Sequence, residues 1–179
     1  MGRQQGGAGA QEMINIDKLT HYFRNYLDSF VHNPQFFVTL CTPDEDDEDD
    51  LCTLIVSLMQ KGRRQLKHEG VGMLSVGKHL FNLLRGNLHN FYVPGFVIYK
   101  LKDGQDTSTK LGEDFFKYTL STARSKSFVN LREVTGRFKL SIGTYVIVPS
   151  TYDPGYEGLF LLRTFTEKEN LAARIGFME

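Results

Sequence analysis

The chain has no tryptophan, five prolines and two cysteines in 179 residues. Two thiols, Cys41 and Cys52, are too few for the disulfide framework of a small secreted domain, and a reducing cytoplasm suits them better. Neither has a Cys-x-x-Cys partner. The five histidines, His21, His32, His68, His79 and His89, show no close pairing, so no transition-metal site is expected. No apolar run approaches the ~20 residues of a spanning helix, which excludes a helical transmembrane segment. Met1 to Ala10 is rich in Gly and Gln and lacks the apolar middle of a signal peptide. It reads as the start of a flexible leader over residues 1–20. Internal repeats are absent.

Net charge is also lacking: 21 lysines and arginines face 21 aspartates and glutamates. The balance is uneven along the chain. Asp44, Glu45, Asp46, Asp47, Glu48, Asp49 and Asp50 hold seven of the acids, which leaves 14 against 21 bases elsewhere. No lysine or arginine lies between Arg24 and Lys61, so the run has no neutraliser nearby in sequence. Like charges ~4 Å apart repel by ~1 kcal/mol even in water, and screening acts only over ~8 Å. Such a loop stays extended until cations or basic side chains arrive. Calcium takes six to eight oxygens at ~2.3–2.6 Å, which a carboxylate run can supply. No glycine sits inside the run to form an EF-hand turn, so the expected calcium affinity is weak, about 10⁻⁴–10⁻³ M. The plain alternative is a solvated charge run that keeps an edge soluble. Lys61, Arg63, Arg64 and Lys67 form a basic counterpart, and basic residues gain roughly 1 kcal/mol each beside an anionic leaflet. Pairing with the acid run, or simple solvation, are the plain readings of that patch. Neutral overall charge argues against nucleic-acid binding.

With 41% hydrophobic residues, the chain suits one globular domain with tails. Short runs rich in β-branched and aromatic residues recur, with Gly/Pro turns between them. They cover residues 36–41, 51–59, 95–101, 115–120, 128–134, 136–140, 143–148 and 158–165. Eight short strands with such punctuation predict an antiparallel β-sandwich. The first two runs are apolar on both faces, as buried strands are, and they make the acid run a loop between strands. Apolar spacing over Ile16 to Phe30 also fits a helix.

Several phrases resemble the β-sandwich domain III of calpains, calcium-dependent intracellular cysteine proteases. These are Asp114-Phe-Phe116, Ala123-Arg-Ser125, Phe128-Val-Asn-Leu-Arg-Glu-Val134, Tyr145-Val-Ile-Val-Pro-Ser-Thr151 and Glu157-Gly158. Upstream, Arg24-Asn-Tyr26, Asn33-Pro-Gln-Phe36 and Leu58-Met-Gln-Lys61 match in the family's order. The resemblance spans about residues 21–168 and implies a C2-like sandwich there, with residues 169–179 as a tail or linker. It disfavours a helix from about His21 onward and leaves one expected only near Asn15 to Tyr22. The chain departs from the family in a longer connection over 70–95, where Lys78-His-Leu-Phe-Asn-Leu-Leu-Arg85 has helical character. Arg132 and Glu133 look structural.

The resemblance names a non-catalytic module. Nucleophilic proteolysis needs an activated thiolate with a histidine beside it. Cys41 precedes the acid run, whose charge disfavours a thiolate, and Cys52 lies in an apolar strand. The family's catalytic phrases are missing. Gly72-Met-Leu-Ser-Val-Gly-Lys78 has the spacing of a phosphate loop, but His79 stands where the magnesium-binding hydroxyl belongs. A glycine-rich loop is the better reading. In calpains the acidic loop of this domain is thought to contact basic residues of the protease core. The resemblance therefore implies a regulatory module that couples calcium and anionic phospholipid to alignment of that core. Its partners would be the protease core and a penta-EF-hand domain, in a cytoplasmic parent with peripheral membrane contact. The alternative is a stand-alone C2-like module that binds calcium, phospholipid or proteins without a protease.

Overall fold

The computed structural model describes residues 11–20, 30–45, 47–60, 94–126, 132–151, 157–168 and 170–174. Over these residues the chain forms β1 (Gln11–Thr20), β2 (Phe36–Leu40), β3 (Cys52–Gln60), β4 (Pro94–Lys100), α1 (Glu113–Tyr118), β5 (Ala123–Arg124), β6 (Glu133–Leu140), β7 (Gly143–Thr151), β8 (Glu157–Thr166) and β9 (Asn170–Arg174). Every ladder is antiparallel. One sheet has the order β1-β8-β3-β6 and the other β5-β4-β7-β2-β9. The architecture is the expected all-β sandwich, with nine strands among the described residues.

Successive strands alternate between the two sheets, apart from β4 and β5, which share one. Described connections such as those from β2 to β3 and from β6 to β7 therefore pass from one layer to the other. The seam between the layers holds the even-numbered apolar positions of β2, β3, β4 and β8. Phe36, Val38 and Leu40 meet Leu54, Val56, Leu58, Phe160 and Leu162, with Phe96, Ile98 and Ile147 closing the packing. The rings of Phe36 and Phe160, from opposite sheets, meet edge to face with centroids 6.4 Å apart. Cys52 belongs to this core, as its apolar strand implies.

A second cluster explains why the run at 36–41 does not alternate. Phe37, Val97, Tyr99, Val146 and Val148 point out of the far face of the five-stranded sheet. They are covered there by Phe30, Leu101, Leu111 and Phe116. A sheet buried on both faces selects apolar residues at consecutive positions. Phe116 packs edge to face on Phe30, Tyr99 and Phe115, with centroids 5.1–5.3 Å apart. Burial pushes the Tyr99 phenol up to about 12, against a small opposing effect of Arg124.

This cover corrects one sequence expectation. Residues 115–120 do not form a strand: α1 occupies 113–118, and Leu120 is 92% exposed. Six residues are too few for a helix to stand on propensity. Glu113 and Asp114 in its first turn and Lys117 in its last complement the helix dipole. Burial of Phe116 supplies the rest.

At the N-terminal end, residues 15–20 are strand rather than helix. β1 pairs along β8 from Gln11↔Phe165 to Ile16↔Phe160, then shifts register to Leu19↔Gly158. Ile14 and Ile16 alternate with Asn15 and Asp17, a period of two that a longer helical count obscures. β1 thus lies within the stretch expected as a leader. Residues 170–174, expected as tail or linker, form β9 on the open edge of β2. Glu133–Leu140 is one continuous strand through Gly136, where the sequence pattern predicts two runs, and residues 128–131 of the first run lie outside the described residues. A Cβ on Gly136 would lie 2.5 Å from the Phe138 ring, so the missing side chain makes room for that aromatic. The expected helix at 78–85, the 70–95 connection and the phosphate-loop-like Gly72–Lys78 lie outside the described residues.

Candidate functional site

The acid run closes the gap between the end of β2 and the start of β3, strands of different sheets. Leu40 lies opposite Gly143 and Cys52 opposite Leu140, so the run sits beside the turn Ser141-Ile142-Gly143 that links β6 to β7. The same register sets Thr53 opposite Lys139 on adjacent strands. That pairing builds the base of the loop.

Asp44 turns inward there and is buried. Its Oδ1 accepts the Thr53 N–H at 3.0 Å. Its Oδ2 accepts the Thr53 hydroxyl at 2.6 Å and the Lys139 ammonium at 2.7 Å. Burial opposes ionisation, but the donors Lys139 and Thr53 outweigh it and hold this carboxyl at about 2. Asp47 accepts the same ammonium at 2.6 Å through Oδ2, and the N–H groups of Asp49 and Leu51 through Oδ1. Lys139 and then the Leu51 N–H lower its pKa. Lys168, from the β8–β9 connection, donates to Glu45 and lowers that carboxyl in turn.

These contacts revise the expectation of a run without a neutraliser. Neutralisers are absent nearby in sequence, yet Lys139 and Lys168 supply them across 92 and 123 residues. Three of the seven acids are thereby tied down. Glu48, Asp49 and Asp50 remain exposed at the apex, and Asp46 lies outside the described residues. The missing glycine is also accounted for. Asp50 takes the left-handed conformation at φ 54°, which aspartate tolerates better than most side chains. The Asp47 carboxylate caps the turn that a glycine would otherwise relax.

Lys61, Arg63, Arg64 and Lys67 lie outside the described residues, as do His21, His68, His79 and His89. His32 is exposed. Cys41 is exposed and Cys52 buried, with the Cys52 thiol pushed up by burial and by the charge of Asp44. Among the described residues no group of three or more His, Cys, Asp or Glu is arranged to hold a metal ion. No helix among them is long and apolar enough to cross a membrane. Glu133 has a structural part in the four-stranded sheet. It accepts from Arg163 at 2.7 Å and from the Ser57 hydroxyl, tying β6 to β8 across β3.

A family model described as calpain large subunit, domain III matches residues 22–165. This chain belongs to that family. Calpain-A of Drosophila melanogaster is 45% identical over 147 residues, covering 82% of this chain and 16% of the relative. Calpain-9 of Homo sapiens is 42% identical over 146 residues, covering 82% and 18%. Calpain clp-1 of Caenorhabditis elegans is 40% identical over 143 residues, covering 80% and 16%. The chain thus spans less than a fifth of the length of these calpains. The domain III match starts at residue 22 and ends at 165, so both β1 and β9 fall outside it.

Proposed function

We propose that this chain is the non-catalytic regulatory domain of a calpain-type, calcium-dependent cysteine endopeptidase. In this reading its acidic loop couples calcium to the alignment of the protease core. The observation that carries the reading is the division of the loop. Its base is neutralised by lysines of the domain itself, whereas Glu48, Asp49 and Asp50 are exposed together at the apex. Three consecutive exposed carboxylates attract either a divalent cation or basic side chains of a neighbouring domain, and the two compete. Calcium screening of the apex would weaken its hold on a basic surface by a few kcal/mol at most, the usual size of a coupling energy.

Amide NMR during a calcium titration tests this. Shifts concentrated in residues 41–52 at roughly 10⁻⁴–10⁻³ M calcium are expected. An unchanged spectrum at millimolar calcium removes the loop from any calcium response.

The proposal includes contact with anionic phospholipid through the charge of Lys61, Arg63, Arg64 and Lys67. Neutralising all four is expected to abolish sedimentation with anionic vesicles at low salt, since each contributes roughly 1 kcal/mol near such a surface. Unchanged binding would discard this membrane contact.

A further inference from the structure

The turn that carries the chain from β6 to β7 holds a serine in an unusual setting. Ser141 and the following Ile142 are exposed, Ile142 at 53%. The Ser141 Oγ nevertheless accepts from the Lys100 ammonium at 2.7 Å and lies 3.2 Å from the Tyr145 Oη. The Tyr145 hydroxyl, on a buried side chain, donates to the Ser141 carbonyl at 2.8 Å. Register positions the lysine: Lys100 of β4 lies opposite Tyr145 of β7, with its ammonium 5.8 Å from the centre of that ring. Gly143 clears its path. The φ there is 140°, and a Cβ would lie 2.9 Å from Lys100 Cε. An open hydroxyl thus has a cation fixed beside it, brought from 41 residues away.

The approach to this hydroxyl is also open. Among the described residues β6 pairs only with β3, so its outer edge is unpaired. Arg137 and Lys139 share the exposed face of β6, and Ser141 follows at the next position of the same period. Basic side chains two and four residues before a serine suit a kinase whose substrate groove is acidic. Lys139 is committed to Asp44 and Asp47, which leaves that recognition mainly to Arg137. The exposed Ile142 offers an apolar contact just past the serine.

We propose that Ser141 is a phosphorylation site for a serine kinase that reads basic residues on the N-terminal side of its target, and that Lys100 holds the phosphate. In the transfer the Ser141 Oγ attacks the γ-phosphorus of ATP. The Oγ–P bond forms, the bond to the ADP oxygen breaks, and the hydroxyl proton passes to the kinase's carboxylate base. The product carries a charge of about −1.5 to −2 at neutral pH, and its lysine is already in place. That charge joins the acid run on the neighbouring loop and strengthens its attraction for a basic surface. The site stands whether or not the loop responds to calcium.

The test treats the folded whole chain with magnesium–ATP and, separately, two basic-directed kinases, protein kinase C and cyclic-AMP-dependent protein kinase. Site-resolved mass spectrometry is expected to find phosphate on Ser141, with a rate at least fivefold lower in Arg137→Gln. No phosphate on Ser141 from either kinase, or an unchanged rate in Arg137→Gln, would overturn the site. Phosphorus NMR then reads the second ionisation of the phosphoserine, ordinarily near pH ~6. It is expected roughly half a pH unit lower in wild type than in Lys100→Gln, whose amide spectrum reports that it is folded. Equal titrations in the two would show that Lys100 does not hold the phosphate.

Discussion

Replacing Phe160 by alanine is expected to cost roughly 3–5 kcal/mol of folding stability, the range for truncating a fully buried phenylalanine. Phe160 has no exposed surface and lies on β8, between β1 and β3. Its ring reaches across the seam to the edge of Phe36 on the opposite sheet. Truncation leaves a void at the point where the two layers touch, and strands on both sides of β8 resist closing it. A domain of this size has only about 5–15 kcal/mol in total, so the variant would lose a large fraction of it. Phe160→Leu, which keeps most of the volume, should lose under about 1.5 kcal/mol. Urea denaturation of the three proteins measures this. A loss below about 1 kcal/mol for the alanine variant would mean that the seam is not packed through Phe160.

The second large effect is electrostatic. Asp44→Ala removes the acceptor for a buried backbone N–H, a buried hydroxyl and an ammonium in one step. The expected cost is roughly 2–4 kcal/mol at neutral pH, that of leaving buried donors without a partner. The pH dependence has a definite sign. The Asp44 carboxyl titrates at about 2 in the folded domain, below its ordinary value of 3.8. A depressed carboxylate contributes stability that is fully present above its unfolded pKa and is lost as pH falls through the folded one. The gap between wild type and Asp44→Ala should therefore be constant above about pH 4 and shrink toward pH 2. Denaturant midpoints over that range decide it. A gap that is the same at pH 2 and pH 7 would show that the charge of Asp44 contributes nothing.

Much of the sandwich is legible from local patterns. Two-sided apolar runs at 36–41 and 51–59 mark strands buried within a sheet, and they bracket the acid run, so its place as an inter-strand loop follows without coordinates. The missed elements have a common cause. β1 and β9 are edge strands that owe their form to pairing with β8 and β2, and neither carries a strong pattern of its own. α1 is made of residues that suit a strand, and its helical form follows from the pocket that Phe30 and Tyr99 offer Phe116. Reading 133–140 as two runs followed from the glycine at 136, which punctuates a sequence but here accommodates a neighbouring ring.

The acid loop divides the two kinds of knowledge most sharply. Seven consecutive carboxylates, their position between buried strands and the shortage of bases around them are properties of the linear order alone, because hydropathy and charge are carried by each residue wherever it goes. Which of those charges stay available was settled by register. Pairing Thr53 with Lys139 places a lysine 95 and 92 residues away beneath Asp44 and Asp47, and the end of β8 brings Lys168 to Glu45. Coulomb interactions depend on distance through space, and in a sandwich whose strands alternate between layers that distance bears no relation to separation along the chain.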